Sequence, residues 1–122
     1  MPLKMKRIYD PSDTADGIRI LIDGLWPRGI AKSEAHISEW MKVLAPSASL
    51  RQWFGHQQSR WKEFTMRYRE ELKMPERREA LSHLRSLKQN GTVTLVFAAR
   101  DEAHSNAKVL YDVLNGRTGK TE

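Results

Sequence analysis

The chain has 122 residues, of which 39% are apolar and 30% are charged, and its 21 Lys and Arg against 15 Asp and Glu give a net charge of +6. This length suits one domain with a hydrophobic core, and the composition excludes a disordered chain or one that spans a membrane. Because there is no cysteine, disulfides, thiol nucleophiles and cysteine-ligated metals are excluded as well. The first residues lack the apolar segment of a signal peptide, so we expect a cytoplasmic protein.

Two strands are predicted in the first part of the chain. Residues 3–9 alternate apolar and basic side chains, and residues 18–23 place an isoleucine at every second position. The eight turn-forming residues between them are too few for a helical crossover. The first strand therefore either pairs antiparallel or lies elsewhere in the sheet. The second strand ends in the segment 23–29, where Pro27 stops regular pairing and Gly29 permits a sharp turn.

The rest of the chain has mostly helical spacing. A helix capped by Ser33 is predicted to reach Leu44, and further helices are predicted over residues 47–55, 59–72, 75–90 and 103–114. The apolar run 92–98 has the composition of a strand covered on both faces. The pattern predicts one α/β domain over residues 1–116, with a small mixed, partly parallel central sheet flanked by helices, and a flexible polar tail at residues 117–122.

A candidate site follows from the strand order. In open α/β sheets, ligands bind beyond the carboxyl ends of the strands. This rule selects the segment 23–29 and the segment 100–106 that follows the strand 92–98. If the two strands are neighbours, their loops converge and bring together Asp23, Arg28, Arg100, Asp101 and His104.

These side chains have a coherent chemistry. Arg28 and Arg100 could clamp a carboxylate or phosphate, because a guanidinium makes paired hydrogen bonds to such oxyanions. His104 could carry a proton while Asp101, three residues away, orients it. A purely structural reading is also open: Asp23 could form an ion pair with Arg28 or Arg100 that fixes the loops, and Asp101 could cap the last helix.

A second group of residues, 53–56, could roof this site. Trp53 and Phe54 are typical of a core or a pocket roof, and His56 follows a glycine in a loop between helices. No metal is predicted, because the histidines lack ligand spacing and no carboxylate cluster resembles a calcium loop. No cofactor is predicted either, since neither a P-loop nor a GxGxxG motif is present.

The residues also resemble a known family. The motifs that carry the resemblance extend from about residue 6 to residue 114 and are Arg19-Ile-Leu-Ile-Asp23, Leu25-Trp26-Pro27-Arg28-Gly29, Trp40, Leu44-Ala45-Pro46, Leu50-Arg51, Trp53-Phe54-Gly55-His56, Trp61, Phe64, Tyr68, Ala98-Ala99-Arg100-Asp101 and His104. Together they are similar to the YeaO-like group of bacterial proteins, part of a broader set of domains of unknown function. The resemblance implies a fold and the location of a site, and no particular activity.

The chain departs from that group at three positions. The group commonly has arginine, aspartate and asparagine where this chain has Gly24, Gln57 and Ser105, so ligand affinity or specificity here is expected to differ if these positions contact a ligand. More distant relatives carry a cysteine-histidine-arginine run at the start of the last helix. This chain lacks that run, which excludes a thiol-based activity.

The sequence therefore favours a domain with a pocket for a small anion, such as phosphate or carboxylate, that is either an enzyme or a binding domain. The proposed site consists of seven residues: Asp23, Trp26, Arg28 and Arg100 as ligand-binding groups, and His56, Asp101 and His104 as catalytic groups.

Two alternatives remain open. One is a nucleic-acid-binding regulator, which is suggested by the +6 charge and the basic helices between Arg60 and Arg85. A scaffold that binds a partner without catalysis is the other alternative. The sequence favours no particular oligomeric state.

Overall fold

The computed structural model describes residues 2–116 as an α/β fold built on a four-stranded sheet. The strands are β1 (Leu3–Arg7), β2 (Ile18–Leu21), β3 (Glu39–Trp40) and β4 (Val93–Phe97), in the spatial order β1-β4-β2-β3. Every pairing among these described strands is parallel. The predicted α/β class is confirmed, and the sheet is parallel throughout this part of the chain. The predicted tail at residues 117–122 lies outside the described residues.

Strand β4 lies at the centre of the sheet. All five of its residues are buried, as the near-continuous apolar run predicted. Strand β1 pairs with one side of β4 and β2 with the other, so that Val93 aligns with both Leu3 and Ile18. Of the two placements predicted for the first strand, the second holds, because β4 separates β1 from β2.

Helices cover the sheet, and some of them begin at a capping serine or at a proline. Ser47 caps α2 (Ala48–Phe54), with its Oγ accepting a hydrogen bond from the backbone N–H of Leu50 at 3.2 Å. Pro75 occupies the first turn of α4 (Pro75–Asn90), where its missing N–H costs nothing. The α-helices of the described residues are α1 (Lys32–Ala35), α2 (Ala48–Phe54), α3 (Trp61–Glu71), α4 (Pro75–Asn90) and α5 (Asn106–Leu114).

Apolar side chains pack on both faces of the sheet. On one face, Ile20 and Leu95 belong to a large core that also contains buried residues of α2, α3, α4 and α5. On the other face, Leu21 and Val96 belong to a smaller core that is closed by the partly buried Trp26 and Trp40. The alternation of neighbouring residues between the two cores is the period of two that a strand imposes.

A buried ion pair lies on the face of the smaller core. Arg19 and Asp16 are 4% and 3% exposed, and Arg19 Nη1 donates to Asp16 Oδ2 at 2.7 Å. Lys6 Nζ donates to the other carboxylate oxygen at 2.8 Å. Although burial alone would raise the pKa of Asp16, hydrogen bonds from Lys6, the Asp13 N–H and Arg19 hold this pKa below its ordinary value.

The helix predicted from Ser33 to Leu44 is wrong. Helix α1 ends after four residues, because His36 adopts a left-handed conformation with φ of 54°. Glu39 and Trp40 then form β3 at the sheet edge, where they align with Ile20 and Leu21, and residues 42–44 form a single 3₁₀ turn.

Candidate functional site

The sequence-predicted site residues line one cleft at the carboxyl ends of β2 and β4. The two strands are neighbours, which is the condition for their loops to converge. The cleft has a volume of about 810 Å³. It is lined by all seven predicted residues, namely Asp23, Trp26, Arg28, His56, Arg100, Asp101 and His104, and by Tyr9, Gly24, Leu25, Pro27, Ala45, Pro46, Arg51, Phe54, Phe64, Ala98, Ala99, Ser105 and Asn106. Their placement follows from the fold, while their roles remain predictions.

Asp23 connects the two strand ends. Its Oδ2 accepts a hydrogen bond from the backbone N–H of Ala98 at 2.9 Å, and its Oδ1 accepts one from Asn106 Nδ2 at 3.1 Å. Burial raises the pKa of Asp23 above its ordinary value, although these two hydrogen bonds and the nearby Arg51 oppose the rise. The Asp23 carboxylate therefore fixes the two loops through its hydrogen bonds to a backbone amide and an asparagine side chain.

The alternative in which Asp23 pairs with Arg28 or Arg100 is wrong. Both arginines are exposed, and within residues 2–116 neither guanidinium group has a hydrogen bond or an ion pair to the protein. Because each guanidinium carries a full charge and five N–H donors, both remain available to an external oxyanion.

Arg51 is a third guanidinium group that the sequence prediction did not include. It lies on α2, is exposed, lines the cleft and opposes the rise in the pKa of Asp23. Its Nη1 lies beside Gly24, where an added Cβ would be 3.6 Å from this nitrogen and 3.5 Å from the Cβ of Ala45. Helical spacing alone gives no reason to select Arg51, and the only available signal was its presence in the family motif Leu50-Arg51.

Trp26 holds the segment 23–29 in place. Its Nε1 donates to the carbonyl of Ile30 at 2.6 Å, and its ring packs edge-on against Trp40 with 5.4 Å between centroids. The hydroxyl of Tyr9 donates to the Arg28 carbonyl at 2.9 Å. The backbone that carries Arg28 is thus fixed on both sides, while its side chain extends into solvent.

Asp101 and His104 form a hydrogen-bonded pair at the opposite wall. His104 Nδ1 lies 2.7 Å from Asp101 Oδ2, and Gln58 Nε2 donates to the same oxygen at 3.1 Å. The hydrogen bond from His104 is the main reason that the pKa of the Asp101 carboxyl is below its ordinary value. The imidazole of His104 also packs edge-on against Trp61, with 5.2 Å between ring centroids. The carboxylate and the indole therefore hold the imidazole in one orientation.

Asp101 does not cap the last helix. It precedes a 3₁₀ turn over residues 102–104 and makes no capping hydrogen bond through its side chain. Helix α5 begins only at Asn106, and Ser105 is its cap, with Oγ accepting from the Lys108 N–H at 3.3 Å. Ser105 is 3% exposed, so its role in this chain is to begin the helix.

His56 lines the cleft, and Gln57 follows it in the chain. Both are exposed, and His56 adopts a left-handed conformation with φ of 58° directly after Gly55. The imidazole of His56 lies 6.1 Å from the ring of Phe54, which is buried. Phe54 and His56 therefore line the cleft, whereas Trp53 packs against the large core and is not among the cleft-lining residues. A roof over the site stays a prediction.

Two further properties describe this part of the chain. Among residues 2–116, no group of three or more histidine, aspartate or glutamate side chains is arranged to hold a metal ion. No helix within the same range is both long enough and apolar enough to cross a membrane.

Comparisons with known proteins agree with the family resemblance. Residues 2–122 match the family described as the inactive DUF488-N3 subclade. An uncharacterized protein of Mycobacterium tuberculosis (strain ATCC 25618 / H37Rv) is 44% identical over 115 residues, which cover 94% of this chain and 95% of the relative. The uncharacterized protein YeaO of Escherichia coli (strain K12) is 36% identical over 114 residues, which cover 93% and 97%. No solved structure matches the chain significantly. The chain therefore belongs to the YeaO-like family of unknown function described as the inactive DUF488-N3 subclade.

Proposed function

We propose that this domain binds a small anion, carrying a phosphate or carboxylate group, in the cleft between the ends of β2 and β4. The observation that carries the proposal is the group of three exposed arginines, Arg28, Arg51 and Arg100, that line one cleft without an ion pair or side-chain hydrogen bond within residues 2–116. They outnumber the two carboxylates of the cleft, Asp23 and Asp101. A cleft with surplus guanidinium groups attracts oxyanions and can hold them by paired hydrogen bonds.

The walls of the cleft support binding because they are held in place before a ligand arrives. Asp23 is fixed by Ala98 and Asn106, and Trp26 is fixed by the Ile30 carbonyl. A site that is already ordered loses less conformational entropy when it binds, which favours affinity.

The description of the family favours a domain that binds the anion without catalysis. The matching family is described as inactive, and the chain has no cysteine that could act as a nucleophile. The enzymatic alternative assigns proton transfer to His104, oriented by Asp101, or to His56. In the binding proposal the imidazoles act only as hydrogen-bond donors to the ligand. A cytoplasmic location is part of the proposal and rests on the sequence alone.

Nucleic-acid binding is a weaker candidate. A second groove, of about 1380 Å³, runs along α3 and α4 and includes Arg69, Arg78 and Arg85. The same groove includes Glu70 and Glu79, and Glu70 pairs with Lys73 at 2.7 Å. Mixed charges of this kind are typical of a solvated helix face, whereas a nucleic-acid surface concentrates basic residues.

The proposal is tested by the thermal stability of the protein in inorganic phosphate. Phosphate is expected to raise the melting temperature of the wild-type protein, because a ligand that binds only the folded state stabilises it. Arg28→Ala and Arg100→Ala are each expected to abolish this rise. The matched control is Arg67→Ala, since Arg67 is 52% exposed and pairs with Glu63 on α3, outside the cleft. An undiminished rise in both cleft variants would contradict the proposal.

A further inference from the structure

The cleft is much larger than an inorganic anion. Its volume of about 810 Å³ lies within the range of roughly 300–1,000 Å³ that is typical of sites for organic ligands. A water molecule takes up about 30 Å³ in the liquid, and a phosphate ion replaces only a few waters. Phosphate alone would therefore leave most of the cleft filled with solvent.

Much of the cleft surface is apolar. Leu25 lines the cleft with 65% of its surface exposed, although it lies only four residues after the buried end of β2. Pro46, Phe54 and Phe64 also line it, and the two phenylalanine rings stack with 4.4 Å between centroids. Phe54 and Phe64 are themselves buried, whereas the exposed Leu25 offers apolar surface that an inorganic anion cannot cover.

The charges assign an orientation to a ligand in this cleft. Arg28, Arg51 and Arg100 are exposed, whereas the Asp23 carboxylate is mostly shielded from solvent at the end of β2. An oxyanion is attracted by the three exposed guanidinium groups and repelled by Asp23, so it is expected to meet the exposed arginines rather than the shielded carboxylate. An uncharged part of the ligand avoids this repulsion and can cover Leu25.

We infer that the ligand of this cleft is an organic oxyanion, namely a phosphate monoester or carboxylate whose apolar group packs against Leu25 while its anionic group meets the arginines. The inference rests on the proposed function, since it assumes that the cleft binds anions. It adds that the apolar group supplies a large part of the affinity.

The test compares phenyl phosphate, inorganic phosphate and phenol, with binding to the full-length protein measured by calorimetry at one pH and ionic strength. Burial of a phenyl group adds enough affinity that phenyl phosphate is expected to bind at least about tenfold more tightly than inorganic phosphate. Leu25→Ala is expected to reduce this preference at least about threefold, because it removes apolar contact area. Met66→Ala is the control, since Met66 is 57% exposed and lies outside the cleft.

The outcomes separate the inference from the proposed function. Equal affinities for phenyl phosphate and inorganic phosphate, or an equal preference in the wild type and Leu25→Ala, would overturn the inference and leave anion binding intact. If neither phosphate compound binds, the proposed function itself is wrong. Phenol that binds as tightly as phenyl phosphate would show that the arginines contribute nothing and would overturn both.

Discussion

The Asp23 carboxylate accepts a hydrogen bond from the backbone N–H of Ala98 at 2.9 Å and joins the ends of the two strands that form the cleft. Asn106 Nδ2 extends this link to the first turn of α5, since it donates to Asp23 Oδ1 at 3.1 Å and to the Ile22 carbonyl at 3.3 Å. One carboxylate thus couples β2, β4 and α5. The guanidinium groups of the cleft are then free to meet a ligand, because none of them is needed to hold the loops.

Asp23→Ala is expected to destabilise the protein. The substitution leaves the Ala98 N–H and an N–H of Asn106 without their acceptor in a largely buried place, which costs about 1–3 kcal/mol of the free energy of unfolding. Urea unfolding at pH 7 measures this loss. Asp10→Ala is the control, because Asp10 is exposed and its side chain makes no hydrogen bond within residues 2–116. Equal stability of the two variants would show that Asp23 does not hold the strand ends.

Arg19→Met is expected to lower the free energy of unfolding by more than the loss of a charge on the surface would. Arg19 donates to Asp16 at 2.7 Å and to the carbonyls of Ala35 and His36, each at 3.1 Å, while being 4% exposed. Its loss leaves the carbonyls of Ala35 and His36 without this donor and the Asp16 carboxylate with Lys6 as its remaining ion-pair partner, which costs about 3–5 kcal/mol of the free energy of unfolding.

The control for Arg19→Met is Arg67→Met, which also removes an arginine from an ion pair. Arg67 and Glu63 are 52% and 51% exposed, so this pair is expected to contribute less than about 1 kcal/mol. Denaturant unfolding of both variants gives the comparison. Similar losses in the two variants would show that the buried pair contributes no more than an exposed one.

The strands that carry the site could be predicted because their composition reflects their burial. The isoleucines of residues 18–22 and the apolar run of β4 match the observed elements, and the rule for carboxyl ends of parallel strands then located the cleft. The sequence did not reveal what holds the loops. Asn106 is distant from Asp23 in the chain, and only the packing of α5 brings them together.

The segment 33–44 could not be predicted from spacing alone. Ile37, Trp40, Met41 and Leu44 are spaced as on one helix face, yet Trp40 packs in the smaller core and Met41 in the larger one. Two adjacent apolar residues on opposite faces are characteristic of a strand, but a pair of residues is too short to produce a visible alternation. Pairing with Ile20 and Leu21 at the edge of the sheet determines the structure of Glu39 and Trp40.

The carboxyl of Asp101 is expected to titrate below its ordinary pKa of 3.8, chiefly because of the hydrogen bond from His104. Its ionised form therefore stabilises the protein above pH 3.8, and this contribution is lost as the pH falls through the lowered pKa. Carbon NMR of the carboxyl measures the midpoint. His104→Ala is expected to move the midpoint upward, and Gln58→Ala is expected to move it less, because the hydrogen bond from Gln58 contributes less to the lowering. An unchanged midpoint in His104→Ala would mean that the pair is not formed.

Asp23→Asn is expected to strengthen the binding of sulfate at pH 8, because it removes a negative charge from the cleft and keeps a side-chain oxygen that can accept from Ala98. Removing this charge repulsion in partly screened surroundings is worth roughly 1 kcal/mol, or about fivefold in affinity.

The effect of Asp23→Asn is also expected to depend on pH. Because burial raises the pKa of Asp23, protonation of the wild-type carboxyl begins at a higher pH than usual. The difference between the two proteins should therefore shrink as the pH falls from 8 toward this pKa. The other residues of the cleft are the same in both proteins, so the comparison isolates Asp23. Calorimetry with sulfate, whose charge is constant over this range, measures the difference, and equal affinities at pH 8 would show that the anion lies too far from Asp23 to be influenced by its charge.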